Sequence, residues 1–286
     1  MIPQADTRTR SIERSLGDRV RILLPHWAAE LVLFVLKMGW AALFGGVLLL
    51  AIIASKAIWS PDWPIARYDA LVIFALTTQA VFLWKRLETW EEARVIVLFH
   101  LTGTAMELFK VHAGSWAYPE PGLLKLMGVP LFSGFMYASV GSFMARVIRI
   151  FDMRFAPYPK FWAATLLAAA IYINFFAHHF VFDFRYILIA ATILMFLRTR
   201  IWFRIGRYYW MPLPVAAALS SIFLWIAENI GTLTGTWLYA GQTIFDRVSF
   251  AKIGSWYLLL YVAFVTVTLV TRSALSRTPL SRTDLK

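Results

Sequence analysis

The chain has 286 residues, of which 60% are hydrophobic, 16% aromatic and only 15% charged, with a mean hydropathy of +0.65. A soluble domain carries about 25% charged residues, so this chain lacks the polar surface to cover itself in water and reads as an integral membrane protein. The net charge of +12 points to basic loops on a cytoplasmic face rather than to nucleic acid, and the absence of cysteine excludes disulfides, thiolate metal sites and cysteine nucleophiles.

The N-terminus, MIPQADTRTRSIERSLGDR, is polar and basic and no cleavable apolar segment follows it, so no removable signal peptide is expected. An amphipathic stretch, WAAELVLFVLK, leads into the first of eight apolar runs. The runs fall at about 38–59, 68–84, 93–113, 129–148, 161–181, 184–199, 211–231 and 253–272. They are continuous rather than alternating, as in ALFGGVLLLAIIA and YLLLYVAFVTVTLV. That pattern predicts helices, whose backbone groups are satisfied internally, and not barrel strands. The seventh run begins after WMPLP, a natural place for a first helical turn. Eight spans put both termini on one side, where twenty Lys and Arg gather against seven on the other. This bias predicts cytoplasmic termini, and the stretches between the runs are short.

The third and seventh runs end on related motifs, ELFKVHAGSWAY over 107–118 and ENIGTLTGTWLY over 228–239. The same shift of 121 residues carries the first run onto the fifth, the third onto the seventh and the fourth nearly onto the eighth. The expected fold is therefore an all-α, polytopic membrane helical bundle of about eight transmembrane helices in two parallel four-helix repeats, 38–151 and 152–272. A basic segment, 1–37, precedes them and a tail, 273–286, follows.

A carboxyl group within the bilayer costs about 2.5 kcal/mol or more, so it usually faces a bundle interior or a wet cavity. Glu107 and Glu228 are accordingly the candidate catalytic pair, one per repeat, with the neutral acid as the form able to donate a proton. Lys110, three residues after Glu107, and His112 beyond it are the expected supporting groups of the first motif, and Asn229 and Thr232 those of the second. The lysine is expected to favour an ionised Glu107, and a purely structural Glu107–Lys110 pair is the plainer alternative. Trp116, Tyr118, Trp237 and Tyr239 are candidate substrate-binding residues, although aromatic residues also collect at membrane interfaces generally. Tyr137 on the fourth run is a further candidate. Gly114–Ser115 and Gly235–Thr236 should end their helices. Gly134, Ala138 and Gly141 form a small-residue face suited to close packing.

Adjacent histidines point to different helix faces, so His178 and His179 beside Asp183 and Arg185 read as an interfacial cluster and not as a metal site. The chain has no Walker loop, no dinucleotide fingerprint, no nucleophile elbow and no paired D-x-x-x-D motifs. No cofactor and no metal are expected, and the expected partner is a membrane lipid or an apolar small molecule.

The stretch MELFKVHAGSWAYPEPGLLKLMGVPLFSGFMYASVGS resembles the signature of the YoaT-like bacterial integral membrane family, over nearly the whole chain. That family implies no activity. The motif order is also similar to that of membrane carotenoid hydratases and the small, heterodimeric-type lycopene cyclases: a glutamate, a small residue with Trp-x-Tyr, then GVPL. The matching residues are Glu107, Trp116, Tyr118, Gly128 to Leu131, Glu228, Trp237 and Tyr239. The similarity implies protonation of an isoprenoid double bond. Those cyclases carry paired acids after the Pro-Leu, where this chain has Phe132 and Ser133, so here Glu107 or Glu228 would have to serve, or the chemistry differs. Three readings stand at this point: a cofactor-free, lipid-facing enzyme, a small-solute or proton-coupled transporter, and a membrane scaffold or assembly factor.

Overall fold

A computed structural model describes residues 17–243 and 246–280. Arg8, Arg10 and Arg14 of the basic N-terminus, and Arg282 and Lys286 of the tail, lie outside the described residues. The described chain opens with a short helical stretch, 17–23 (α1), followed by α2 (His26–Ala41) and α3 (Leu43–Ile58), which meet at a bend of 68°. Next come α4 (Arg67–Trp84), α5 (Trp90–His112), α6 (Phe132–Ile150), α7 (Phe161–Ala177) and α8 (Arg185–Phe196). The helical series ends with α9 (Leu213–Leu233) and α10 (Ala251–Val270).

A helix stands at each of the eight predicted runs. Three of them, α5, α9 and α10, are long and apolar enough to cross a membrane, and α2 with α3 makes a fourth if the bent pair is one span. The 12 residues of α8 reach only about 18 Å at 1.5 Å per residue, short of a hydrocarbon core of about 30 Å.

The expectation of an all-α chain needs correcting, because the described residues also form seven short strands. Three of these make one antiparallel sheet in the order β4 (Arg154–Ala156), β5 (Arg200–Arg204), β6 (Tyr208–Pro212). Arg200 and Arg204 of β5 are exposed while Ile201 and Phe203 are buried, the period of two that a strand imposes. The sequence RIWFR, assigned to a basic loop, carries that alternation. β2 (Lys125–Leu126) and β3 (Val129–Pro130) form a hairpin turned by Met127 and Gly128, both at positive φ.

Local sequence sets the helix ends. Thr89 and Glu92 cap α5 reciprocally: the Glu92 N–H donates to Thr89 Oγ1 at 3.2 Å and the Thr89 N–H to Glu92 Oε2 at 2.8 Å. Pro212 caps α9 and Pro214 lies in its first turn, where a missing N–H costs nothing. The close seam between α5 and α6 follows from small residues. A Cβ on Gly103 would come within 2.6 Å of Tyr137, and one on Gly141 within 2.6 Å of Phe99. The packing face expected from Gly134, Ala138 and Gly141 is thus the face α6 turns to α5. At the opposite end of that seam from the two motifs, Arg146 and Glu88 form a fully buried ion pair at 3.4 Å, with Ser142 and Gln79 also donating to the carboxylate. Burial pushes the Glu88 carboxyl up from its ordinary value, against the pull of those donors.

Candidate functional site

The two motifs end their helices in the same way. Gly114 and Gly235 sit at φ +68° and +63°. The next residue's N–H reaches back to the helix in both: Ser115 donates to the Lys110 carbonyl at 2.9 Å, and Thr236 to the Gly231 carbonyl at 3.0 Å. Glycine is favoured here because a Cβ resists the left-handed conformation. Each chain then runs into a two-residue strand, and the strands pair with one another as β1 (Trp116–Ala117) and β7 (Leu238–Tyr239). The antiparallel register sets Trp116 opposite Tyr239 and Ala117 opposite Leu238. Ala117 and Leu238 are themselves 121 residues apart.

The first turn of α4 braces both loops. Arg67 donates from Nε to Glu120 at 2.7 Å and from Nη2 to Thr236 Oγ1 at 3.3 Å, and Tyr68 Oη donates to the Thr236 carbonyl at 2.8 Å. Asp69 accepts the N–H groups of Leu123 and Leu124 at 2.8 and 2.7 Å. None of these three residues stood out in the sequence, where they read as the polar start of an apolar run.

Glu107 is 2% exposed and all three of its partners are donors. Trp116 Nε1 and Tyr118 Oη reach Oε2 at 2.7 and 2.9 Å, and Tyr137 Oη reaches Oε1 at 2.7 Å. Tyr137 arrives from α6 because Gly103, one turn before Glu107, leaves room for its ring. Glu228, 9% exposed, has a sparser setting. Tyr239 Oη donates to Oε2, and among the described residues nothing hydrogen-bonds the other oxygen. In both motifs the tyrosine eleven residues on holds the glutamate. Burial pushes the phenols of Tyr118 and Tyr239 well above their ordinary values, so they stay O–H donors.

Both glutamates line one cavity of about 1150 Å³, together with Trp116, Tyr118, Tyr137, Trp237 and Tyr239. The rest of its wall is mostly apolar, with Met38, Leu49, Met144, Phe203, Met211 and Phe264 among the contributors. Leu213 and Glu228 both face it from α9, fifteen residues apart, which makes it roughly 22 Å long by helix rise. Drug-sized pockets are about 300–1,000 Å³, so this cavity lies just above that range.

Several predicted roles are corrected. Lys110 forms no ion pair with Glu107. Its Nζ lies 2.9 Å from His179 Nε2, a contact the long side chain makes by crossing to the end of α7 while staying buried. His112, the last residue of α5, is exposed and away from the cavity. Asn229 ties α9 to the loop before α10, donating to the Trp225 carbonyl at 2.7 Å and accepting the Val248 N–H at 3.0 Å. Thr232 bonds back to the carbonyls of Glu228 and Asn229, the usual recourse of a hydroxyl inside a helix. Trp237 does not repeat the bond of Trp116 to a glutamate. Gly231 stands where the first motif has Lys110, and the Trp237 ring lies over it and packs with Tyr68 and Phe132.

His178, His179 and Arg185, expected as an interfacial cluster, line the same cavity together with Lys252 and Asn174, a grouping that was not expected. Lys252 lies 3.9 Å above the Tyr239 ring. A signal was present, since all five fall near helix ends assigned to the same side as the two motifs.

Over residues 30–264 the chain matches the family described as Protein of unknown function (DUF817). A curated relative from Bacillus subtilis (strain 168), named uncharacterized protein YoaT, is 43% identical over 239 residues, covering 82% of this chain and 90% of the relative. No solved structure matches.

Proposed function

The chain belongs to the DUF817 family, and we propose that it is a cofactor-free membrane enzyme that protonates a carbon–carbon double bond of an apolar, isoprenoid-like substrate. The observation that carries this reading is the large apolar cavity ending on two carboxyl groups, one of which keeps an oxygen open to it. Glu228, protonated, transfers its proton to one carbon of the double bond and leaves a cation on the other. The faces of Tyr239, Trp116 and Trp237 surround that charge. The cation then loses a neighbouring proton or adds water, and the Glu228 carboxylate recovers the proton released by either route. Glu107, saturated by three donors, is the positioning member of the pair. The resemblance of the motif order to that of carotenoid hydratases and cyclases points to the same chemistry, although their paired acids are replaced here by Phe132 and Ser133.

Within this reading the protein crosses a bacterial inner membrane eight times with cytoplasmic termini, as two parallel repeats, 38–151 and 152–272, between segments 1–37 and 273–286, and the short α8 crosses where the bilayer thins around it. The matched glycine caps, the i to i+11 tyrosine bonds and the ribbon centred on Ala117 and Leu238 support the repeat. Proton-coupled transport is the second reading, favoured by ionisable groups of both halves meeting at one cavity.

The test is native mass spectrometry of the full-length protein extracted with its lipids. An isoprenoid-class mass retained by the wild type, and accumulating unprocessed on Glu228→Gln, is expected. A protein that retains no apolar molecule, or whose Glu228→Gln form processes it at the wild-type rate, would overturn the assignment.

A further inference from the structure

We infer that the outer mouth of the cavity is a binding site for the anionic head of an amphipathic substrate, a phosphate or similar oxyanion joined to a single apolar chain, held by Lys110, Lys252 and Arg185. The inference rests on the proposed function for the tail in the cavity and adds what the head must be.

Three cations from three helices converge here. Lys110 comes from the last turn of α5, Arg185 from the first residue of α8 and Lys252 from the first turn of α10, and all three line the cavity. Their positive charges bear on one another. Anions to balance them are scarce. Asp183 pairs with Arg185 at 3.1 Å; Asp183 acts on Lys110, and Glu228 on Lys252, only from beyond ion-pair reach, so among the described residues neither lysine has a carboxylate in contact. Lys110 is 2% exposed, and its Nζ bonds a ring nitrogen, which neutralises nothing. Lys252 rests on the Tyr239 ring. Burying cations without a counter-ion is costly, and a ligand that supplies the anion removes that cost.

The placement also fits the chemistry. Lys252 sits on the ring of the tyrosine that holds Glu228, so a head bound there would enter beside the proposed proton donor and leave its tail to run along the apolar wall. His178 and His179 stand at the same mouth, their rings 4.2 Å apart. An oxyanion accepts hydrogen bonds from the three cations, whereas a neutral alcohol satisfies few of them.

The experiment measures binding to the full-length protein in detergent, using geranylgeranyl monophosphate, geranylgeraniol and inorganic phosphate as probes. The phosphate ester should bind at least about tenfold more tightly than the alcohol, the scale of one charge-assisted contact. Inorganic phosphate alone should not bind at millimolar level. Lys252→Gln with Arg185→Gln should bring the ester down to the alcohol, while Lys252→Arg keeps the difference. Equal binding of ester and alcohol by the wild type, or an unchanged preference in the double variant, would overturn the head site and leave the tail cavity standing. Inorganic phosphate binding as tightly as the ester would make this a free-anion site and overturn the lipid assignment. Failure of both ester and alcohol to bind would overturn the tail cavity and the head site together.

Discussion

The ring of Trp116 meets that of Tyr239 edge-on, with centroids 5.8 Å apart and planes at 83°, and the two residues are partners in the β1–β7 ribbon. Each is also bonded to a glutamate, Trp116 to Glu107 and Tyr239 to Glu228. Two hydrogen bonds and one ring contact therefore join the two carboxyl groups across the top of the cavity.

The two glutamates should respond differently to neutralisation. Glu107→Gln places an amide N–H₂ among three donors, leaving at least one buried donor unpaired at a cost of about 1–3 kcal/mol. Glu228→Gln disturbs one bond and should melt near the wild-type temperature while losing at least about a hundredfold in turnover of the retained substrate. Thermal unfolding in detergent, set beside product formation, checks both. Equal melting shifts in the two variants would contradict the difference in their settings.

Gly114→Ala and Gly235→Ala should each cost about 1–2 kcal/mol, because both put a Cβ on a left-handed residue. Equal losses in chemical or thermal unfolding are expected, since the two caps have matched hydrogen bonds. A loss at one position only would show that the loops are not equivalent.

Gly103→Ala should cost about 1–3 kcal/mol by overpacking, as its methyl group would meet the Tyr137 ring. Gly46→Ala, where a Cβ meets nothing within 4 Å, is the matched control and should be neutral or slightly stabilising. If Gly103→Ala melts at the wild-type temperature, Tyr137 is not held against α5 as described.

Burial, and then the Lys110 charge, hold both His178 and His179 below the ordinary histidine value. The unfolded chain thus takes up protons that the folded one refuses. Stability should be intact above about pH 6.5, fall as pH drops from there to the folded values, and level off below them. The contact with a lysine ammonium makes His179 Nε2 the acceptor and places the ring proton on Nδ1. His179→Gln should flatten part of the pH dependence of the melting temperature, and an unchanged slope would count against this assignment.

The helices were legible because each is a long apolar run, and the motif because it combines rare intramembrane carboxyls with glycine caps at matched spacing. The three-stranded sheet escaped because β4 and β5 are more than forty residues apart, and pairing at that distance leaves no local mark beyond the alternation in RIWFR. The bend of 68° between α2 and α3 falls at Ala42, flanked by Gly39, Gly45 and Gly46, a cue that the unbroken apolar run masks. Spacing placed Lys110, Asn229 and Thr232 near the glutamates along the chain, but spacing does not say where a side chain reaches. Lys110 crosses to His179, and the hydroxyl and amide settle on backbone carbonyls. The cations at the cavity mouth were visible one by one, and only packing brings three helix ends together.

The β1–β7 ribbon makes each loop the latch of the other. Trp116 cannot swing off Glu107 without parting from the strand that carries Tyr239, so neither carboxyl can be uncovered from above on its own. Reaching either carboxyl past the ribbon therefore requires both loops to part together.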